Sequence, residues 1–336
     1  MNLPPILRWL LWPFSVVYGF AVRVRLRLYA RGVFKTKRLR TPVISVGNLT
    51  VGGTGKTPMV IWLAEHFLAA GKRVAILSRG YKGSGDTSDE IELMKCRLKN
   101  RVLFGVGANR YEQGKLLEKQ GVDVFLLDDG YQHVQLARDV NLLLMDAAQP
   151  LANEALLPAG RLREPVSAMS RATLLVFTRT ETSAGAAAAI GKLQGYPVFS
   201  AATRLLGFRR FGAGVPVLAP AEIGTGPFFA FCGIGNPRAF FLDLQNWQIP
   251  VAGTKAFPDH HRYTAGELHA LVRSAQAAGA RALVTTEKDA QNLGKAQCGE
   301  TPVFVAVIDL EISPEASFWE SLQAQIVAQT PSRMVN

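Results

Sequence analysis

Cysteine is scarce in these 336 residues: Cys96, Cys232 and Cys298 are odd in number, scattered, and form no C-x-x-C pair. This excludes a disulfide-stapled scaffold and leaves a zinc site without partners at ligand spacing. Buried, reduced thiols in a reducing compartment are the expectation. Low-complexity tracts and internal repeats are missing too, which argues against a disordered chain or a solenoid. Nor is there an uncharged apolar run of the roughly 20 residues that a spanning helix needs. Acid is absent from one end: residues 1–64 hold ten Lys or Arg and no Asp or Glu. Ten of the twelve net positive charges therefore sit there, and an acidic partner would meet the N-terminus.

What is present is apolar material, at 48% of residues against 19% charged, enough for two domain cores at this length. Residues 9–22, WLLWPFSVVYGFAV, form a fourteen-residue uncharged stretch interrupted by Pro13. Arginines crowd after it and no small-residue cleavage site follows, unlike a signal peptide. Two readings remain. One is a core helix followed by a solvated basic face. The other, favoured here, is a membrane-surface helix. Its Trp9, Trp12, Phe14, Tyr18 and Phe20 would enter the headgroup region while the arginines meet anionic lipid. Nucleic acid is not expected as a partner, because no base-reading motif accompanies the basic arm.

From residue 42 short apolar runs alternate with amphipathic stretches, which predicts an α/β fold with a parallel sheet flanked by helices. Strands are expected at 43–46, 74–78, 124–128, 141–146 and 174–178. Helices are expected from about Lys56 and around Asn109. Residues 179–227 turn alanine-rich and then Gly- and Pro-rich, a boundary signal. Strands at 228–232, 282–286 and 303–307, with helices at 237–246, 265–278 and 314–328, predict a second, smaller α/β domain. The expected organisation is a basic membrane-associating segment at 1–40, a P-loop domain at 41–205, a linker at 206–227 and the smaller domain at 228–336.

The P-loop reading rests on residues 52–57, GGTGKT, between a strand and a helix. Such glycines let backbone N–H groups face phosphates, Lys56 reaches the β- and γ-phosphates, and the Thr57 hydroxyl binds magnesium. Thr50, Val51, Gly52, Gly53, Thr54, Gly55, Lys56 and Thr57 are the candidate ATP-binding residues. Thr50 replaces the first glycine of the usual formula. The double glycine resembles the variant loop of MinD-like ATPases, although Val51 stands where those carry a signature lysine. About seventy residues on, VFLLDD (124–129) reads as a Walker-B strand, with Asp128 or Asp129 holding the magnesium.

Seven strings then name a family: GNLTVGGTGKTP (47–58), SRGY (78–81), DDGYQH (128–133), LPAGRLREP (157–165), GIGNPRAFF (233–241), Asp259-His260 and TEKD (286–289). In this order, from about residue 5 to about residue 310, the chain resembles tetraacyldisaccharide 4′-kinase, the lipid A 4′-kinase of Gram-negative bacteria. The resemblance implies transfer of the ATP γ-phosphate to the 4′-hydroxyl of a tetraacylated glucosamine disaccharide 1-phosphate. The enzyme would be peripheral or monotopic on the cytoplasmic face of the inner membrane, with ATP and Mg²⁺ as cofactors. It also implies site residues. Asp89, in Ser88-Asp89-Glu90-Ile91, takes the place of an acidic base, with Asp86 as a rival. His260 takes that of its partner histidine, with His261 adjacent. Arg163 would neutralise transferred charge, and Glu164 would bind magnesium or water. With Asp89 and His260 assigned to different domains, the pair is expected to meet only on domain closure over bound substrate. His133 is expected to pack beneath the Walker-B turn, and TEKD to serve as a helix N-cap. The alternative function from another class is a MinD-like membrane ATPase switch.

Overall fold

A computed structural model describes residues 4–80, 88–149, 151, 154–182, 195–212, 216–294 and 301–329. The chain forms two compact units, one built from Met1–Lys82, Leu98–Thr203 and Leu310–Asn336, the other from Gly83–Arg97 and Arg204–Asp309.

In the first unit the strands are β1 (Val43–Gly47), β2 (Val74–Ser78), β3 (Leu103–Val106), β4 (Val124–Leu127), β5 (Val140–Asp146), β6 (Leu174–Thr178) and the start of β7 (Val198–Arg210). They lie in the order β3-β2-β4-β1-β5-β6-β7 and pair in parallel. Every residue of β1, β2, β4, β5 and β6 is buried, as a parallel sheet covered on both faces requires. The order places β1 at the centre, so the loop leaving it sits between the carboxyl ends of β4 and β5.

The second unit has the order β11-β10-β8-β9, again parallel, from β8 (Phe228–Cys232), β9 (Val251–Ala256), β10 (Ala282–Thr286) and β11 (Val303–Ser313). Alternation along β8 shows how its core is made. Phe228, Ala230 and Cys232 join Phe240 and Leu244 of the helix Pro237–Asn246. Phe229 and Phe231 join Leu268 and Leu271 of the helix Ala265–Ala277. Period two thus feeds two apolar layers.

The expected strands are all present. Three further strands were not signalled. Two of these, β3 and β9, are the ends of their strand orders and only partly buried, so they lack a continuous apolar run. The third, β7, carries the chain from one unit to the other and extends to Arg210, and Phe208 pairs with Leu218, so the expected linker at 206–227 contains ordered sheet structure. The helix Glu315–Ala328 groups with the first unit, and the segment 83–97 with the second. Cys232 is buried as expected, but Cys96 is exposed; Cys298 lies outside the described residues.

The N-terminal stretch forms one helix, α1 (Pro5–Ala30), running through Pro13 rather than breaking there. Its 26 residues span about 39 Å and are long and apolar enough to cross a membrane by length and composition. It is not a core helix, because Ser15 and Gly19 are its buried residues. Ser15 Oγ donates to the Leu156 carbonyl at 3.0 Å and accepts from Ala159 N–H at 2.9 Å. Tyr18 donates to the Arg163 carbonyl at 2.7 Å, so it faces protein and not lipid as expected from the sequence. A Cβ on Gly19 would stand 2.6 Å from Leu156 Cδ1. Spacings of three and four residues place these groups on one face, which rests on the segment 156–163. Trp9, Trp12, Phe14 and Phe20, each at least 62% exposed, lie off that face.

Candidate functional site

The loop leaving β1 is braced from beside it. Thr50 bridges Leu162, Val51 N–H donates to the Arg161 carbonyl at 2.8 Å, and Arg163 N–H to that of Leu49 at 2.7 Å. Gly52 and Gly53 are exposed, with nothing within 4 Å of where a Cβ would lie. Gly55 caps helix α2 (Lys56–Ala69) in the left-handed conformation, φ +78°, which glycine adopts without strain. Thr54 Oγ1 is buried with no hydrogen-bond partner among the described residues. Open glycines, an orphaned hydroxyl and a helix N-terminus describe a cradle suited to a polyphosphate. Lys56 donates to Asn48 Oδ1 at 3.3 Å and lies 3.6 Å from Asp129. Thr57 follows it, half-buried, in the first turn of α2.

The two Walker-B acids differ. Asp128 is buried and accepts from Ser78 Oγ at 3.3 Å; burial, and then the neighbouring Asp129, push its carboxyl upward. Asp129, at a left-handed φ of +46°, accepts two hydrogen bonds from Arg163 at 2.7 and 2.8 Å. Burial alone would raise it, but Lys56 and Arg163 outweigh burial and hold it below the usual carboxylate range. Hydroxyl and carboxylate oxygens are the hard donors that magnesium takes, so Thr57, Asp128 and Asp129 fit such an ion. At Asp128, Lys56 and Arg110 do not offset burial.

Arg163 and Glu164 turn different ways. Glu164 is 1% exposed and paired with Arg171, whose guanidinium lies over the Tyr131 ring at 4.8 Å. One Glu164 oxygen is thus held by Arg171, while its Oε1 is buried with no hydrogen-bond partner among the described residues. His133 is half-buried, with its backbone N–H on the Gly130 carbonyl at 2.9 Å. Burial, then Arg110 and Arg138, lower its pKa to about 4. Gly47 makes the Walker-B turn possible, since a Cβ there would lie 2.7 Å from Tyr131 N.

A second cluster lies wholly in the other unit. His260 Nδ1 is 3.0 Å from both carboxylate oxygens of Asp89, the first residue of α3 (Asp89–Leu98). Asn292 donates to Asp89 at 3.2 Å. Burial opposes the charge on Asp89, but the hydrogen bond from His260 and the Lys288 ammonium bring its pKa far below the ordinary range. The bond to Asp89 raises His260 in turn, against burial and Lys288. His260 holds φ at +60°, a conformation costly for a non-glycine residue, with its N–H on the Gly233 carbonyl at 3.1 Å. His261 turns away, 3.0 Å from Glu267 and stacked on Phe257.

The pair is therefore in contact within one compact unit, and the expectation that it meets only on domain closure is corrected. The reason is that residues 88–97 group with the unit that carries His260. Asp86 lies outside the described residues. Asn48 and Gln132, which donates to the Asn48 carbonyl at 2.9 Å, were missed by sequence reasoning, as was Lys288. GNLT and DDGYQH contain the first two. TEKD contains Lys288, but its capping signature masked it: Thr286 does cap the helix Glu287–Asn292.

Residues 7–327 match the family described as tetraacyldisaccharide-1-P 4′-kinase (LpxK). A tetraacyldisaccharide 4′-kinase of Geobacter metallireducens is 41% identical over 317 residues, covering 89% of this chain and 92% of that one. One from Pelobacter propionicus is 39% identical over 336 residues, covering 94% and 91%. The crystal structure of LpxK from Aquifex aeolicus in complex with ATP superposes with a TM-score of 0.74 at 33% identity, over 95% of this chain and 99% of that one.

Proposed function

The chain belongs to the tetraacyldisaccharide-1-P 4′-kinase family, and on that premise we propose how its residues divide the reaction. The enzyme transfers the ATP γ-phosphate to the 4′-hydroxyl of a tetraacylated glucosamine disaccharide 1-phosphate, a lipid A precursor. Membership of a kinase family removes the switch-ATPase alternative.

Residues 50–57 hold the ATP phosphates, with the Lys56 ammonium on the β- and γ-phosphates. Thr57 and Asp128, with Asp129 beside them, would hold magnesium, which would supply charge neutralisation at the phosphates. Arg163 keeps Asp129 ionised and oriented. Asp89 takes the proton of the 4′-hydroxyl. The sugar oxygen then bonds to the γ-phosphorus as the bond to the β–γ bridging oxygen breaks, and ADP leaves with that electron pair. His260 orients the Asp89 carboxylate and spreads its charge. The observation that carries these roles is the 3.0 Å Asp89–His260 pair. The test uses purified protein, labelled ATP and a disaccharide 1-phosphate lipid. A product with a second phosphate is expected from the intact enzyme and not from Asp89→Asn. A fully active Asp89→Asn enzyme would remove Asp89 from the base role.

We further place the enzyme on the cytoplasmic face of the inner membrane, as a monotopic protein. The middle of α1 is packed along the first unit by Ser15, Tyr18 and Gly19, which favours a helix lying on the membrane over one spanning it. Its exposed aromatics and basic flank suit an anionic surface, where a four-chain lipid substrate resides.

A further inference from the structure

We infer that Lys288 is a positioning residue for phosphoryl transfer, and that the string Glu287-Lys288-Asp289 aligns the Asp89–His260 pair from three directions. The inference rests on the base role proposed for Asp89.

Lys288 lies against the pair itself. Its Nζ donates to Asp259 at 3.0 Å and lies 3.3 Å from Glu90, 3.4 Å from His260 Nε2 and 3.8 Å from Asp89. Three carboxylates and an imidazole converge on one ammonium that is 20% exposed. Without that cation, the buried Asp89 would face the carboxylates of Glu90 and Asp259 with less to offset their repulsion. Glu287 acts at the far end of α3. It pairs with Arg97 at 2.9 Å, and Arg97 also donates to the Ile308 carbonyl at 2.9 Å. Consecutive residues thus hold α3 at both ends. Asp289 secures the other partner. Fully buried, it accepts from Gly233 N–H and from Tyr263 Oη, each at 2.7 Å. The Gly233 carbonyl in turn receives the His260 N–H. A Cβ on Gly233 would stand 2.9 Å from the Pro258 carbonyl oxygen, so glycine is what lets the His260 loop approach.

A helix cap alone would need Thr286 and a backbone; it would not need a lysine among carboxylates. Lys288 favours the ionised form of Asp89 and disfavours the protonated form of His260. Removing the cation should therefore move both titrations upward. Asp89 would become a competent base only at higher pH, so the acid limb of the kcat profile should shift to higher pH.

The experiment compares full-length wild type, Lys288→Met, Lys288→Arg and Asp89→Asn over a pH series. His260 is followed by ring proton NMR, and folding by thermal midpoint. Lys288→Met should lose kcat by roughly 10- to 100-fold with KM for ATP little changed. Its acid limb and its His260 titration should both move up, and Lys288→Arg should restore most of each. A Lys288→Met enzyme with wild-type kcat and an unmoved profile, beside an inactive Asp89→Asn, would overturn the inference and leave the base assignment standing. An active Asp89→Asn would overturn both. Should Lys288→Met fail to fold, Lys288→Gln takes its place under the same criteria.

Discussion

Lys56 and Asp89 carry opposite charges, and the roles proposed for them need different tests. Lys56 is partly exposed and contacts Asn48 and Asp129 rather than an apolar core. Lys56→Ala should therefore cut kcat by about 10²-fold or more. The thermal midpoint should move by no more than about 3 °C, read by calorimetry. Asp89 and His260 touch, so their losses should not multiply: Asp89→Ala, His260→Ala and the double variant should show similar kcat values. Product of the two single losses in the double variant would separate their roles. The pair also carries a pH signature. His260 titrates above its ordinary value mainly through its bond to Asp89, so the bonded form is fully present below the imidazole range. It is lost as pH rises through that raised value. Asp89, lowered, keeps its contribution above the carboxylate range and loses it as pH falls through its own depressed value. Asp89→Asn should bring the His260 titration down, and NMR titration would detect a His260 that stayed raised.

Helix α3 shows most clearly what sequence order conceals. Its residues fall between two stretches of the P-loop unit along the chain, yet Arg97 pairs with Glu287, 190 positions away. Both side chains are largely buried, and Glu287 is pushed upward chiefly by burial. Removing one partner of such a pair strands a buried charge, at about 3–5 kcal/mol. An exposed pair such as Lys37–Glu112 contributes about 0–1 kcal/mol. Arg97→Ala should thus lower stability in denaturant titration by several times as much as Lys37→Ala, and lower kcat through α3. Equal small effects would mean that the Arg97 pair is not holding the helix. The P-loop was legible because its chemistry is local: glycines, Lys56 and Thr57 act through a few consecutive backbone groups. The Asp89–His260 cluster was legible only residue by residue, through the family strings. It draws on positions 89, 260 and 288, whose meeting no spacing announces. The helix itself, DEIELMKCRL, opens with acid and carries no strong apolar run.

On the scale of the molecule, charge and apolar surface coincide at one place. Ten of the net twelve positive charges fall in residues 1–64, and the exposed large apolar side chains concentrate on α1. Water is a poor neighbour for Trp9 at 84% exposure and Phe20 at 66%. Each Lys or Arg close to an anionic leaflet contributes about 1 kcal/mol, and a buried aromatic adds its own transfer free energy of about 1.5–3 kcal/mol. Deleting α1 would test this poorly, because Ser15, Tyr18 and Gly19 also pack against the segment 156–163. Point changes on the outward face separate the two effects. Trp9→Ala with Trp12→Ala should leave the thermal midpoint and soluble ATP binding close to wild type, yet weaken co-sedimentation with anionic vesicles by at least about tenfold. Arg23→Ala with Arg27→Ala should weaken it less at high salt than at low, because screening already reduces the term they supply. Wild type should bind anionic vesicles more tightly than zwitterionic ones, and the difference should shrink as salt rises. Binding that ignored both the tryptophans and the lipid charge would mean that α1 meets another protein and not a bilayer.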